Sequence, residues 1–304
     1  MEYVLKTYAL TKRYRHFTAL RGLEMHIPKG SIYGFVGRNG AGKTTLIRLI
    51  CGLQEPSSGS FTLYGVPNAD PKITRSRRRM GAVVETPSIY LDMTARENLL
   101  EQYRVLGTPS DDGAEELLRL VGLDGVEKKK ARDFSLGMRQ RLGIAIALAG
   151  SPDFLVLDEP INGLDPQGIV EMRELILKLN RERGITVLIS SHILDELARL
   201  ATHYGFIDGG CMLREMSAEE LEMRCRKCTR AEVSNTAALA RTLDRMGVEY
   251  RIVDDTHADL YADVQITRLS EALSAENCIL YSMREQDESL ESFYMNLVGG
   301  ERHA

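Results

Sequence analysis

From Ser31 to Val36 the chain is apolar at nearly every position, and from Leu46 to Ile50 apolar residues return at helical spacing. The pattern predicts a buried strand, a loop and a helix. The alternation recurs further on. An apolar run at Phe154–Leu157 precedes a helical face of Met172, Leu175, Ile176 and Leu179; a second run at Ile185–Ile189 precedes another amphipathic helix. Asp165 as N-cap, Pro166 at the first helical position and Gly184 as terminator bound the helix between the two runs. Continuous apolar runs of strand length fit parallel strands covered on both faces. The region 31–207 therefore predicts an α/β domain with a mostly parallel sheet.

Around that sheet the periodicity differs. Tyr3 to Ile27 alternates over short stretches, with a break at Arg21-Gly22 and a turn at Pro28-Lys29-Gly30, and Phe61–Tyr64 joins it as an antiparallel β layer. Helical spacing dominates from Thr94 to Gly150, so a helical insert is expected over about 86–150. After Gly209-Gly210 a charged helix (218–227) leads into strand 230–233, helix 236–246, strands 248–253 and 259–263, helix 266–274, strand 278–283 and a last helix from Glu288 to Val298. This β-α-β-β-α-β order is the ferredoxin-like pattern. The domains expected are 1–215 and a small α+β accessory domain, 216–304.

Composition narrows the class. The chain has 304 residues, 43% hydrophobic and 27% charged, with a net charge of −4, which disfavours a nucleic-acid partner held by bulk electrostatics. No run approaches the roughly 18 apolar residues of a spanning helix, and Met1–Leu10 carries no apolar signal core. Cysteines at 51, 211, 225, 228 and 278 form no disulfide framework, as in a reducing cytosol. Cys225 and Cys228 lack the further ligands a zinc site needs and read as two exposed thiols on a helix. The cluster Arg75, Arg77, Arg78 and Arg79 reads as a solvated face, with contact to a partner or anionic lipid as the other reading.

The strand-to-helix junction carries the chemistry. It reads Gly37-Arg38-Asn39-Gly40-Ala41-Gly42-Lys43-Thr44, a phosphate-binding loop. Glycines at 37, 40 and 42 let backbone N–H groups approach a polyphosphate, and the following helix directs its N-terminal dipole at the charge. Lys43 is expected to reach the β- and γ-phosphates, and the Thr44 hydroxyl to enter the coordination shell of Mg2+. Asp158-Glu159, at the end of the next apolar run, supplies two acids facing different ways: Asp158 for Mg2+ and Glu159 to take a proton from, or orient, the attacking water. His192, after the following run, either reaches the γ-phosphate side or is a helix-start polar residue.

With these motifs in order, the chain resembles the ATP-binding subunit of an ABC transporter, a P-loop NTPase, over roughly residues 3–215. The resemblance makes Tyr14 the aromatic that stacks on adenine; the other reading is an ordinary strand aromatic. It makes Gly37–Thr44 the Walker A loop, which with Thr45 and Tyr14 lines the ATP site. Glu85 falls at the Q-loop position as a further metal-site residue, the alternative being a solvent-facing loop acid. Ser135-Leu136-Gly137-Met138 falls at the signature loop, Phe154–Glu159 at Walker B, Leu164-Asp165 at the D-loop and His192 at the switch histidine. The resemblance implies a cytoplasmic subunit, peripheral on the inner face of the membrane, that dimerises head to tail with a second copy or a similar ATPase subunit. Two ATP molecules are sandwiched between one subunit's Walker A and the other's signature loop, and a multi-spanning membrane permease is driven by their hydrolysis.

Two departures from the family pattern stand out. The usual Leu-Ser-Gly-Gly-Gln becomes Phe134-Ser135-Leu136-Gly137-Met138, which keeps Ser135 and Gly137 as γ-phosphate donors but loses the glutamine. Glu85 replaces a glutamine. Together with the Arg139–Gly143 continuation and the closing Ser292-Phe293-Tyr294 helix, they resemble the bacitracin-resistance and lantibiotic-immunity branch of peptide exporters. The expectation is an ATPase subunit powering export of an antimicrobial peptide or other antibiotic. The alternatives are a soluble non-transport ABC ATPase or a nucleotide-dependent regulator.

Overall fold

The computed structural model describes residues 2–107, 113–126, 128–225, 228–262, 264–286 and 290–300. The chain forms two compact units, Met1–Ala218 and Glu219–Ala304.

In the first unit, β1 (Tyr3–Tyr14) and β2 (Phe17–Pro28) make a long antiparallel pair. The wholly buried β3 (Ile32–Val36) runs through the phosphate loop into α1 (Lys43–Ile50). β4 (Ser58–Leu63) and β5 (Val66–Pro67) return beside β1, giving an antiparallel sheet in the order β2-β1-β4-β5. Next come α2 (Ile73–Arg77), β6 (Met80–Val83) and the helical insert of α3 (Ala95–Leu106), α4 (Ala114–Leu120) and α5 (Leu136–Leu148). β7 (Phe154–Asp158), α6 (Pro166–Arg183), β8 (Thr186–Ser191), α7 (Leu194–Ala198), β9 (His203–Asp208) and β10 (Cys211–Ser217) complete the unit. The second sheet has the order β10-β9-β3-β8-β7-β6, parallel except for β10, which pairs antiparallel with β9. The C-terminal ends of β3, β8 and β7 therefore lie side by side, with Val36 opposite Ser191 and Asp158 opposite Ser190. Ligands of open α/β sheets bind at such ends.

Local sequence explains the boundaries. Thr94 and Glu97 form a reciprocal capping box at the start of α3, and Gly107 closes that helix in the left-handed conformation. Asp165 accepts a hydrogen bond from the Gly168 N–H (3.2 Å), Pro166 takes the first turn of α6, and Gly184 (φ 65°) ends it. Leu5, Leu20, Ile27, Phe35, Leu46, Phe61, Phe154 and Leu188 join both sheets around α1 in one buried cluster.

The structure corrects several expectations. Tyr3–Ile27 is not a set of short strands: Arg21-Gly22 is an irregularity inside β2, where the Arg21 N–H donates to the Gly210 carbonyl and the Gly22 N–H to Thr11 Oγ1. A bulge survives inside a strand when its freed backbone groups find other partners. The two units divide after Ala218, just past the end of β10. The helix after His192 is only the five residues of α7.

The second unit runs α8 (Ala218–Arg224), β11 (Cys228–Val233), α9 (Thr236–Met246), β12 (Tyr250–Ile252), β13 (His257–Leu260), α10 (Ile266–Ser274), β14 (Leu280–Gln286) and α11 (Leu290–Gly300). Its antiparallel sheet has the order β12-β13-β11-β14. Ala231, Val233, Leu239, Leu243, Ala258, Leu260, Leu269 and Leu273 form its core. Cys225 and Cys228 are not helical exposed thiols: both are half-buried, Cys225 past the end of α8 and Cys228 on β11. Residues 226–227 between them, residue 263 at the end of an expected strand and residues 288–289 at the start of the expected last helix lie outside the described residues. The buried Asp259 accepts hydrogen bonds from Arg230 Nε (2.7 Å) and Nη2 (3.1 Å) and from Arg251 Nη2 (3.0 Å). Burial pushes its carboxyl up, but the hydrogen bonds and charges of the two arginines outweigh this and hold it below the usual carboxylate range.

Candidate nucleotide site

The phosphate loop is shaped by its neighbours as much as by any ligand. A Cβ on Gly37 would lie 2.6 Å from both Ile207 Cγ2 and the Ile207 carbonyl oxygen on β9; one on Gly42 would lie 2.6 Å from the Ala19 carbonyl oxygen on β2. Gly42 also has φ 111°. Sequence reasoning gave these glycines to phosphate approach alone, and the structure adds a packing demand. Gly40 differs, with φ 80° and open space where its Cβ would be, so packing makes no demand on it and its backbone conformation alone calls for glycine. Arg38, Asn39 and Gly40 are exposed at the rim, Ala41 is buried, and Thr44 and Thr45 are half-buried in the first turn of α1.

Lys43 is buried, and its ammonium is fully engaged. Nζ donates to the Gly37 carbonyl (2.6 Å) and the Arg38 carbonyl (3.3 Å) and lies 3.1 Å from Glu159 Oε1. A buried amine needs such partners, because an unpaired charge in that position is costly. The other Glu159 oxygen, Oε2, is 2.7 Å from His192 Nδ1. Glu159 has a positive φ of 50°, held by its N–H donating to Ser190 O (3.2 Å) and Ser190 Oγ (3.0 Å). The left-handed region costs a residue with a Cβ about 1–2 kcal/mol, and strain maintained this way is characteristic of functional sites. Asp158 is 2% exposed and faces the other way, accepting a 2.6 Å hydrogen bond from Ser190 Oγ. Ser190 thus orients both acids, a role the sequence reading missed: only its place at the end of an apolar run hinted at it.

The remaining candidates lie around this centre. Tyr14, at the end of β1, stacks on Phe17 (ring centroids 5.1 Å apart, planes 21°) and donates its hydroxyl to Gln54 Oε1 (2.6 Å). Glu85 follows β6 with φ 60° and is ion-paired with Arg48 of α1. Ser135 is the N-cap of α5, accepting from the Met138 N–H (3.3 Å). Gly137 faces Leu164 of the D-loop, where a Cβ would lie 3.6 Å from Leu164 Cδ2; Leu136 covers Gly163 in the same way, at 3.2 Å. The structure therefore gathers Gly37–Thr45, Asp158, Glu159 and His192 at adjoining strand ends and seats Leu136 and Gly137, next to the cap Ser135, against Gly163 and Leu164 of their own chain.

A Gly-rich loop between a buried parallel strand and a helix, facing acids at the next strand ends, defines a P-loop nucleoside triphosphatase. Residues 20–162 match the family model described as "ABC transporter". The chain is 38% identical over 305 residues to the bacitracin transport ATP-binding protein BcrA of Enterococcus faecalis, covering 99% of this chain and 98% of that protein. It is 43% identical over 212 residues to the lantibiotic transport ATP-binding protein SrtF of Streptococcus pyogenes, covering 70% and 90%. A solved ATP-binding cassette, MJ0796, in a dimeric post-hydrolysis state bound to ADP and Pi, superposes with a TM-score of 0.63 at 25% identity, over 70% of this chain and 98% of that one. The chain belongs to the ATP-binding subunits of ABC transporters. It binds and hydrolyses ATP in the service of transport, pairs with an ATPase subunit and works with a membrane permease. Its likeness to transport proteins over nearly its whole length leaves the non-transport alternatives without support.

Proposed function

We propose that this subunit powers export of an antimicrobial peptide or related antibiotic through a separate multi-spanning permease, on whose cytoplasmic side it sits at the inner face of the membrane. The names of the relatives, bacitracin and lantibiotic transport proteins, support the substrate class. Among the described residues no helix is long and apolar enough to cross a membrane, in keeping with a separate permease.

The reaction rests on one observation: Lys43, Glu159 and His192 converge in a single hydrogen-bonded line at the mouth of the phosphate loop. ATP enters with its base on Tyr14 and its phosphates over Gly40, held by loop N–H groups and the α1 N-terminus. Lys43 exchanges the Gly37 and Arg38 carbonyls and Glu159 for phosphate oxygens. Glu159, freed on that side and still held through its backbone by Ser190, accepts a proton from the attacking water, while His192 holds its other oxygen and faces the γ-phosphate. The hydroxyl of Thr44 and the carboxylates of Asp158 and Glu85 are a hard oxygen donor set that suits Mg2+. Mg2+ bound there would neutralise developing charge on the phosphates. Ser135 and Gly137 of each copy meet the nucleotide held by the other copy, in a head-to-tail dimer.

The substrate assignment is tested by producing the chain with its permease in a peptide-sensitive bacterium and measuring tolerance to bacitracin and to a lantibiotic. Raised tolerance that disappears with Lys43→Ala supports it. Unchanged tolerance to every peptide antibiotic, with active ATPase in the membrane, contradicts it.

A further inference from the structure

Glu85 is held on both sides. Its carboxylate is ion-paired with Arg48, which lies one helical turn beyond Thr44 on the same side of α1. Two residues after Glu85, Pro87 fits against Gly143 of α5, where a Cβ would lie only 2.6 Å from Pro87 Cβ. α5 begins at Leu136 with Ser135 as its cap. One continuous line of contacts thus runs from the nucleotide helix through Arg48, Glu85 and Pro87 to the signature helix. The positive φ of Glu85 shows that the backbone there is held against its own preference.

We propose that Arg48 is a positioning residue of the ATPase cycle. Its guanidinium neutralises the glutamate that stands at the Q-loop position, and latches α1 to the loop that packs on α5 while no nucleotide is bound. The pair is half-exposed, so it is weak enough to exchange. With Mg2+ bound beside Thr44, the Glu85 carboxylate would exchange Arg48 for the divalent cation, and the loop would release α5 to move. Arg48 also removes the repulsion that an uncompensated carboxylate would exert on the polyphosphate. The proposal rests on the reading of Thr44 as a metal-site residue given above.

The test is a double-mutant cycle on the full chain with Arg48→Gln, Glu85→Gln and both together, measuring ATP binding in EDTA and in Mg2+. Arg48→Gln is expected to weaken metal-free ATP binding by about two- to fivefold and to make binding more dependent on Mg2+ than in the parent. With Glu85→Gln already present, Arg48→Gln should leave the Mg2+ dependence unchanged. Arg48→Lys, which keeps the charge, should restore the parent's behaviour. A second measurement needs no nucleotide: amide hydrogen exchange in the first turn of α5 should quicken in either single variant and no further in the double. Equal effects of Arg48→Gln with and without Glu85→Gln, or unchanged α5 exchange in both single variants, would overturn the latch. A parent chain that takes up no ATP would overturn the nucleotide site itself, and the exchange measurement would still decide the latch.

Discussion

Lys43 Nζ lies 3.1 Å from Glu159 Oε1, so the cation meant for phosphate is paired with the carboxylate meant for water. The same ammonium closes the loop on itself through the Gly37 carbonyl. Nucleotide binding must break both contacts, and the bonds Lys43 then makes to phosphate replace them. An ionic hydrogen bond is worth about 1.5–3 kcal/mol. Lys43→Ala is therefore expected to weaken ATP binding by at least about tenfold, read by equilibrium binding of ATP. Affinity equal to the parent's would remove Lys43 from the phosphate site.

The glycines of the loop separate stability from binding. Gly37→Ala forces a Cβ to within 2.6 Å of Ile207 and is expected to cost about 1–3 kcal/mol in urea unfolding without nucleotide. Gly40→Ala meets no neighbour; its cost is confined to the left-handed backbone, about 1–2 kcal/mol, and its distinguishing effect is a lower ATP affinity. Equal unfolding curves for Gly37→Ala and the parent would contradict the packing role.

Much of this arrangement is legible from residues near each other in sequence. The β3-to-α1 junction, the cap at Asp165 and the stop at Gly184 follow from local chemistry that the fold leaves undisturbed. What stays hidden depends on which strands become neighbours. Ser190 orients Asp158 and Glu159 only because β7 and β8 pair in one register. Arg48 reads in sequence as one charged position on an amphipathic helix, and its pairing with Glu85 exists only once β6 is laid beside β7. The irregularity at Arg21-Gly22 reads as a strand end because its compensating bonds, from the Gly22 N–H to Thr11 Oγ1 on β1 and from the Arg21 N–H to the Gly210 carbonyl between β9 and β10, come from outside β2.

In the second unit, Asp259 gives a pH signature. Its folded carboxyl lies below the ordinary value, so its contribution is fully present above about pH 4, the unfolded value, and is lost as pH falls through the folded one. Asp259→Asn is expected to lower stability at pH 7 by about 1–3 kcal/mol and to flatten the loss of stability on acidification. Parallel acid limbs for variant and parent, followed by circular dichroism, would contradict this.

The nucleotide site candidates all lie before Ala218. A chain ending at Ala218 is expected to fold and to bind ATP with the parent's affinity. If it folds, by circular dichroism, but binds ATP tenfold more weakly, the second unit contributes to nucleotide binding.

Glu159 carries the central claim, because catalysis is assigned to one strained residue fixed between Lys43 and His192. The direct measurement is single-turnover ATP hydrolysis by Glu159→Gln beside ATP binding by the same protein. A general base contributes about 10²–10⁴-fold, so hydrolysis should fall by that factor while ATP remains bound and the chain accumulates as an ATP-loaded dimer. Hydrolysis at the parent's rate in Glu159→Gln would contradict the account.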